Sequence, residues 1–170
     1  MKPHASPISC KTYFVNDFSL STNPVYDAEQ PSDVSLDDLE VESEILAPSP
    51  EGDWIVVLAV EQHVPTSKNA PYNFSIQVWG YFEVVPGLSK ERAEQLVLTN
   101  GSSILFAATR EILRDMTSKG PYPPLLLPTL SFFPLPKKES AATAEPKPSL
   151  TTPESNPGTI SVEDGKGSSN

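Results

Sequence analysis

The sequence predicts an α+β domain in which strands come first and helices follow. Three observations carry that expectation. Residues 54–60 (Trp-Ile-Val-Val-Leu-Ala-Val) and 72–85 contain no proline and are rich in β-branched and aromatic residues, the composition of strands. After Pro86 and Gly87, apolar residues recur at helical spacing, which changes the period from two to 3.6. The 19 prolines of this 170-residue chain are densest after Gly120, so the middle is free to form regular structure. A chain of this length fits one domain, or one domain with tails.

Residues 1–10 are polar and proline-marked and read as a flexible arm. A first strand is expected over 12–21. Phe14, Asn16, Phe18 and Leu20 share one face, with Tyr13, Val15, Asp17 and Ser19 on the other, a partial fit to period two. Residues 23–34, with Pro24, Pro31 and several acids, form a long connection, a crossover or exposed loop expected to be mobile. Next, Leu36, Asp38, Glu40, Glu42 and Glu44 alternate imperfectly with Leu39, Val41 and Ile45, a strand with one acidic, wet face. Pro48, Pro50 and Gly52 then turn the chain.

Residues 54–60 are apolar on both faces, as a central strand covered on both sides would be. A short helix could also hold them, but the Val and Ile content and the flanking turn signals favour a strand. In 72–85, Phe74, Ile76 and Val78 lie on one face and Ser75, Gln77 and Trp79 on the other, with Gly80 marking a bulge. The linker 65–71 is short enough to make these two strands an antiparallel pair.

Ser89 is the expected N-cap of a helix over 90–98, which Asn100 and Gly101 should interrupt. A longer helix is predicted from about Ser103 to Lys119. Its apolar stripe is Leu105, Ala108, Ile112 and Met116, widened by Phe106, Thr109 and Leu113. Glu111 with Arg114 and Asp115 with Lys119 would decorate the other side, and Gly120 would stop the helix. Residues 121–136 are apolar but carry six prolines, so they must run extended against something; otherwise Leu125, Leu126, Leu127, Leu130, Phe132 and Phe133 would form an exposed apolar patch. Residues 137–170 hold Ser, Thr, Pro, Ala, Gly and charge with no aromatic, a composition that predicts a disordered C-terminal tail. The expected organisation is an arm over 1–10, a domain over 11–136 and a tail over 137–170.

The formal net charge of −10 argues against nucleic acid or an anionic membrane as main partner. Between Thr12 and Ser67 there is no Lys or Arg, while twelve acids lie there. That half carries a negative field, for solubility or to attract basic partners. Cys10 is the only cysteine, so no intramolecular disulfide can form and the cytosol is the expected compartment. The first twenty residues lack a signal-peptide pattern, and no stretch of about 18 apolar residues predicts membrane insertion.

No constellation for catalysis stands out. His4 and His63 are the only histidines, and neither has a visible triad partner. One cysteine and two histidines do not supply a structural zinc site. The carboxylates fall in a charge run rather than an acid/base pair, and Gly80, Gly87 and Gly101 have neither dinucleotide nor phosphate-loop spacing. The expectation is a non-enzymatic binding protein without a cofactor. Its groups best able to bury against extended chains are Tyr26 in the loop, Trp79 and Tyr81 on a strand, and the Leu/Phe/Pro run from Tyr122 to Phe133. Ordinary core or subunit packing is the competing use for each.

Residues 100–128 resemble the signature of SecB, the bacterial protein-export chaperone family. The shared order is Leu105-Phe106, Arg110-Glu111, Gly120, Pro123-Pro124 and the leucines 125–127. Phe14-Val-Asn-Asp17-Phe-Ser looks like that family's first strand, and the two apolar strands followed by Gly87 look like its central hairpin. The resemblance covers about Lys11 to Pro134. It implies a four-stranded antiparallel sheet backed by helices, assembled as a homotetrameric dimer of dimers. Its grooves would hold unfolded preproteins, without ATP, for handover to the motor SecA. By this resemblance Tyr26, Trp79, Tyr81, Leu125, Leu127, Phe132 and Phe133 are candidate client contacts, and Asp17 is a candidate SecA contact.

Two departures from the family pattern stand out. Pro134 and Pro136 break the second long helix that usually follows the leucine run, and Ser21 and Gln77 or Ile76 stand near where further SecA-facing acids are expected. The shortened end also looks like SecB-like chaperones that protect an antitoxin in toxin-antitoxin systems. A structural or adaptor protein using the same strands for one fixed partner is the rival from another class.

Overall fold

The two Val- and Ile-rich segments are the central strands of a sheet. The structure, a computed structural model, describes residues 6–46, 52–65 and 67–133; the turn expected at Pro48 and Pro50, the prolines 134 and 136, and the tail 137–170 lie outside them. Four strands, β1 (Ile8–Thr22), β2 (Leu39–Leu46), β3 (Trp54–Gln62) and β4 (Tyr72–Val84), form one antiparallel sheet in the order β1-β4-β3-β2. Two helices follow, α1 (Lys90–Leu96) and α2 (Ser102–Thr117). The expected four-stranded antiparallel sheet backed by helices is therefore the observed fold.

Strict alternation builds the core. Every second residue of β4 from Tyr72 to Phe82 is buried, and Val56, Leu58 and Val60 of β3 bury on the same side. Leu105, Phe106 and Leu113 of α2 close over them. Each such side chain contributes about 1.5–3 kcal/mol by leaving water. The anticipated cover on both sheet faces is one-sided among the described residues. The other face presents Ile55, Ala59, Gln77, Trp79 and Tyr81, partly exposed, around the buried Val57.

The first strand starts at Ile8, inside the segment expected to be a loose arm, because Ile8 is 4% exposed and packs into the core. Its broken periodicity has a cause. The register slips between Cys10 and Thr12 and between Val15 and Asp17, so β1 carries two bulges. Phe14 thus pairs with Trp79 and leaves the face of Phe18 and Leu20, which pair with the buried Ile76 and Phe74. Gly80, expected to mark a bulge, is regularly paired with Tyr13 and Val56.

A short 3-10 turn, Leu36–Asp38, precedes β2. From Leu39 the alternation is regular: Glu40, Glu42 and Glu44 are exposed on one face, and Val41, Ser43 and Ile45 are half-buried on the other. Ser89 caps α1 as expected, its hydroxyl accepting from Arg92 N at 3.3 Å. Asn100 and Gly101 do not interrupt the helix, which runs through a wider π turn, Val97–Gly101, directly into α2. The buried stripe of α2 is Leu105, Phe106, Thr109, Leu113 and Thr117, whereas Met116 is 43% exposed. The stripe takes in two threonines: Thr117 Oγ1 donates to Leu113 O at 2.7 Å, whereas Thr109 Oγ1 is buried without a partner among the described residues.

Candidate functional site

The connection from β1 to β2 and the leucine run after α2 meet at three tyrosines. Tyr26 lies edge-on against Tyr122, ring centres 4.8 Å apart, and Tyr122 against Tyr72 at 5.9 Å. The Tyr72 hydroxyl lies within hydrogen-bond reach of the carbonyls of Thr117 (3.2 Å) and Tyr122 (3.0 Å) and accepts from Tyr122 N at 3.3 Å, and the Tyr122 hydroxyl donates to Asn23 O at 3.2 Å. A strand, the end of a helix and a loop are tied together there.

The loop over 23–34, expected to be mobile, is clamped. Asn69 Nδ2 donates to the carbonyls of Asp27, Gln30 and Pro31, and Asn69 Oδ1 accepts from Asp27 N at 2.9 Å. Lys68 pairs with Asp38, and that ammonium, together with donors from Ser35, lowers the Asp38 carboxyl from 3.8 to about 2. Asp38 is thereby ionised at any ordinary pH and anchors the turn before β2.

The prolines keep residues 121–133 extended, and α2 holds them in place. Leu125 N donates to Thr117 Oγ1 at 2.8 Å, and Arg110 Nε donates to Leu127 O at 3.0 Å. Between this wall and the clamped loop lies a groove of about 490 Å³, lined by Tyr26, Val34, Leu36, Leu39 and Pro71 on one side and residues 123–128 on the other. Leu127 is 5% exposed and belongs to the core, whereas Leu126 is 73% exposed at the rim. What such a lining offers chemically is burial of apolar surface, which is non-directional and accepts many sequences.

The structure thus brings together Tyr26, Leu125 and Leu127. Phe132 packs edge-on against Phe106 at 5.8 Å, next to the core, while Phe133 is 64% exposed. Trp79 and Tyr81 lie elsewhere, on the open sheet face with Phe14, whose ring centre is 6.1 and 6.2 Å from theirs. Gln77 Oε1 accepts from Trp79 Nε1 and Asn16 Nδ2, holding that ring. Asp17 is exposed on the same face, paired in register with Gln77. Groove residues that sequence reasoning missed include Val34, Leu36, Leu39, Gln62 and Pro71; Leu36 carried a signal as an apolar residue at the end of an acidic loop. A wider cleft of about 800 Å³ lies between the end of β2, Trp54 and α1, with Glu44, Lys90, Glu91 and Glu94 among its lining.

Among the described residues no helix is long and apolar enough to cross a membrane. A family model described as preprotein translocase subunit SecB matches residues 2–143. The protein-export proteins SecB of Brucella anthropi and Brucella ovis are each 31% identical over 85 residues, which is 50% of this chain. The matched part spans about half the length of those relatives, 52%. Among solved structures, the SecB-like chaperone Rv1957 of Mycobacterium tuberculosis, in complex with a ChAD peptide from the Rv1956 HigA1 antitoxin, superposes with a TM-score of 0.56 at 16% identity. That alignment covers 76% of this chain and 94% of the other, so the two share a fold.

Proposed function

The chain belongs to the SecB family, and on that footing we propose that it is a non-enzymatic, ATP-independent holdase that keeps unfolded polypeptides soluble in the cytoplasm and competent for export. The observation that carries the reading is the apolar groove between the clamped loop and the leucine run. Tyr26, Leu125 and Leu127 wall it, and Phe132 and Phe133 extend the same apolar run. Trp79 and Tyr81, with Phe14, supply a second, separate apolar area on the open sheet face. The chaperone unit in this reading is the domain anticipated over residues 11–136, with its first strand entering at Ile8.

The working form in this proposal is a homotetramer, a dimer of dimers, and Asp17 is its contact for the motor SecA. The net charge of −10 favours encounter with basic, unfolded clients over nucleic acid. A second reading has its own support. The chain after Pro121 has no helix as far as Phe133, and the Mycobacterium tuberculosis protein of like fold was solved with an antitoxin peptide. In that reading this protein serves one antitoxin.

The test is whether purified protein, without nucleotide, delays aggregation of several unrelated unfolded proteins at near-stoichiometric amounts, with mass read by light scattering. Suppression across clients by a tetramer is the expected result. Suppression of a single client would favour the antitoxin reading, and no suppression would favour a fixed-partner adaptor.

A further inference from the structure

One buried side chain in the groove is only half used. Gln62, the last residue of β3, is 2% exposed and lines the groove with Leu39 and Pro71. Its amide nitrogen donates to the Tyr72 carbonyl at 2.9 Å, which settles which end of the amide is nitrogen. The amide oxygen has no hydrogen-bond partner among the described residues, yet it is not sealed in. Thr109 Oγ1 is the only fully buried, partnerless side-chain oxygen or nitrogen among them. An unpaired oxygen on a residue this buried, still in touch with solvent, opens into the groove that the residue lines.

Water can reach this acceptor while the groove is empty, but an apolar segment that expels the water must offer a donor or leave the oxygen unpaired, which is costly. The walls do not supply one: Pro71, Pro123, Pro124 and Pro128 carry no N–H, the Ser35 hydroxyl is given to Asp38, and neither Tyr26 nor Ser32 donates to this oxygen. An extended polypeptide brings what is missing, since it presents backbone N–H groups along its length. We infer that Gln62 is a specificity residue of the groove: its amide oxygen accepts one backbone N–H of the bound segment. The groove then selects apolar, extended segments with a free N–H at that position and rejects proline there. This inference rests on the reading of the groove as a polypeptide site.

The test uses a short fluorescein-labelled peptide in which lysines and serines flank one Leu-Phe-Val-Leu stretch. Each backbone amide of the stretch is replaced in turn by an ester, which removes the N–H without adding bulk, and binding to the full chain is followed by anisotropy. In the wild type, one ester position is expected to weaken binding about two- to tenfold, the range of a single hydrogen bond, and proline at that position is rejected as well. In Gln62→Met that ester has no further effect. A flat ester profile in the wild type, or the same sensitive position in Gln62→Met, overturns the inference while leaving the holdase reading intact. Failure of the wild type to bind the unmodified peptide overturns both. Should Gln62→Met fail to fold by circular dichroism, the wild-type profile decides: one peak where proline is also rejected supports the inference, and a flat profile overturns it.

Discussion

Gly80 and Gly120 each leave room that a Cβ would fill. A glycine within a strand pattern signals a bulge or a close approach, and at Gly80 it is the approach: an added Cβ would sit 2.6 Å from the Phe82 ring and 2.7 Å from Leu105 Cδ2. Gly80→Ala is expected to lower stability by about 1–3 kcal/mol through overpacking, read as an earlier urea midpoint. Gly120 follows the helix as predicted, but it does not use the positive φ of a C-terminal glycine cap. Its missing side chain makes room for the Tyr72 hydroxyl, 2.7 Å from where a Cβ would stand. The approaches of Leu105 to Gly80 and of Tyr72 to Gly120 cannot be seen in sequence, because each joins segments far apart in the chain. Tyr26 was legible as an apolar group in a polar loop, but its pairing with Tyr122 was not. Tyr26→Ala should weaken polypeptide binding about two- to tenfold, the worth of an aromatic contact. Titration of a labelled unfolded client measures it, and an unchanged affinity would count against Tyr26 as a groove wall.

At the scale of elements, the sequence revealed the strongly patterned segments and missed what long-range register decides. The central strands β3 and β4 and the helix α2 follow from composition and period. The two bulges in β1 do not, because a bulge is defined by the partner strand. The loop before β2 looked mobile from its prolines and acids, yet Asn69, in the linker between β3 and β4, supplies its hydrogen bonds. Asn69→Ala is therefore expected to raise hydrogen exchange in residues 26–33 by at least about tenfold, as several bonds worth about 1 kcal/mol each are lost, and to leave exchange in the central strands unchanged. The Asp38 anchor adds a pH dependence. Its carboxyl falls from 3.8 to about 2 on folding, so ionised Asp38 favours the folded loop. That contribution is complete above about pH 4 and fades as pH falls through 2. In Asp38→Asn the acid-sensitive part of loop opening, followed by hydrogen exchange between pH 5 and 2, should disappear.

For the whole molecule, the decisive feature is that the sheet has two unlike faces. Helices seal one face and, together with the clamped loop, leave the groove at its margin. The other is open, acidic along β2 and aromatic around Trp79. The sequence identified most of the side chains involved but merged both faces into one set of contacts, since face assignment in β1 needed its bulges and the groove needed the loop's clamp. Both areas figure in the proposed function, with the groove as the principal site. The most direct test compares Leu126→Asp, at the exposed rim of the groove, with Tyr81→Ser on the open face, in nucleotide-free suppression of aggregation of several unrelated unfolded proteins. Leu126→Asp should lose most of the suppression while keeping the wild-type unfolding midpoint, and Tyr81→Ser should lose much less. A Leu126→Asp protein that protects clients as well as the wild type would contradict the groove as the principal client site.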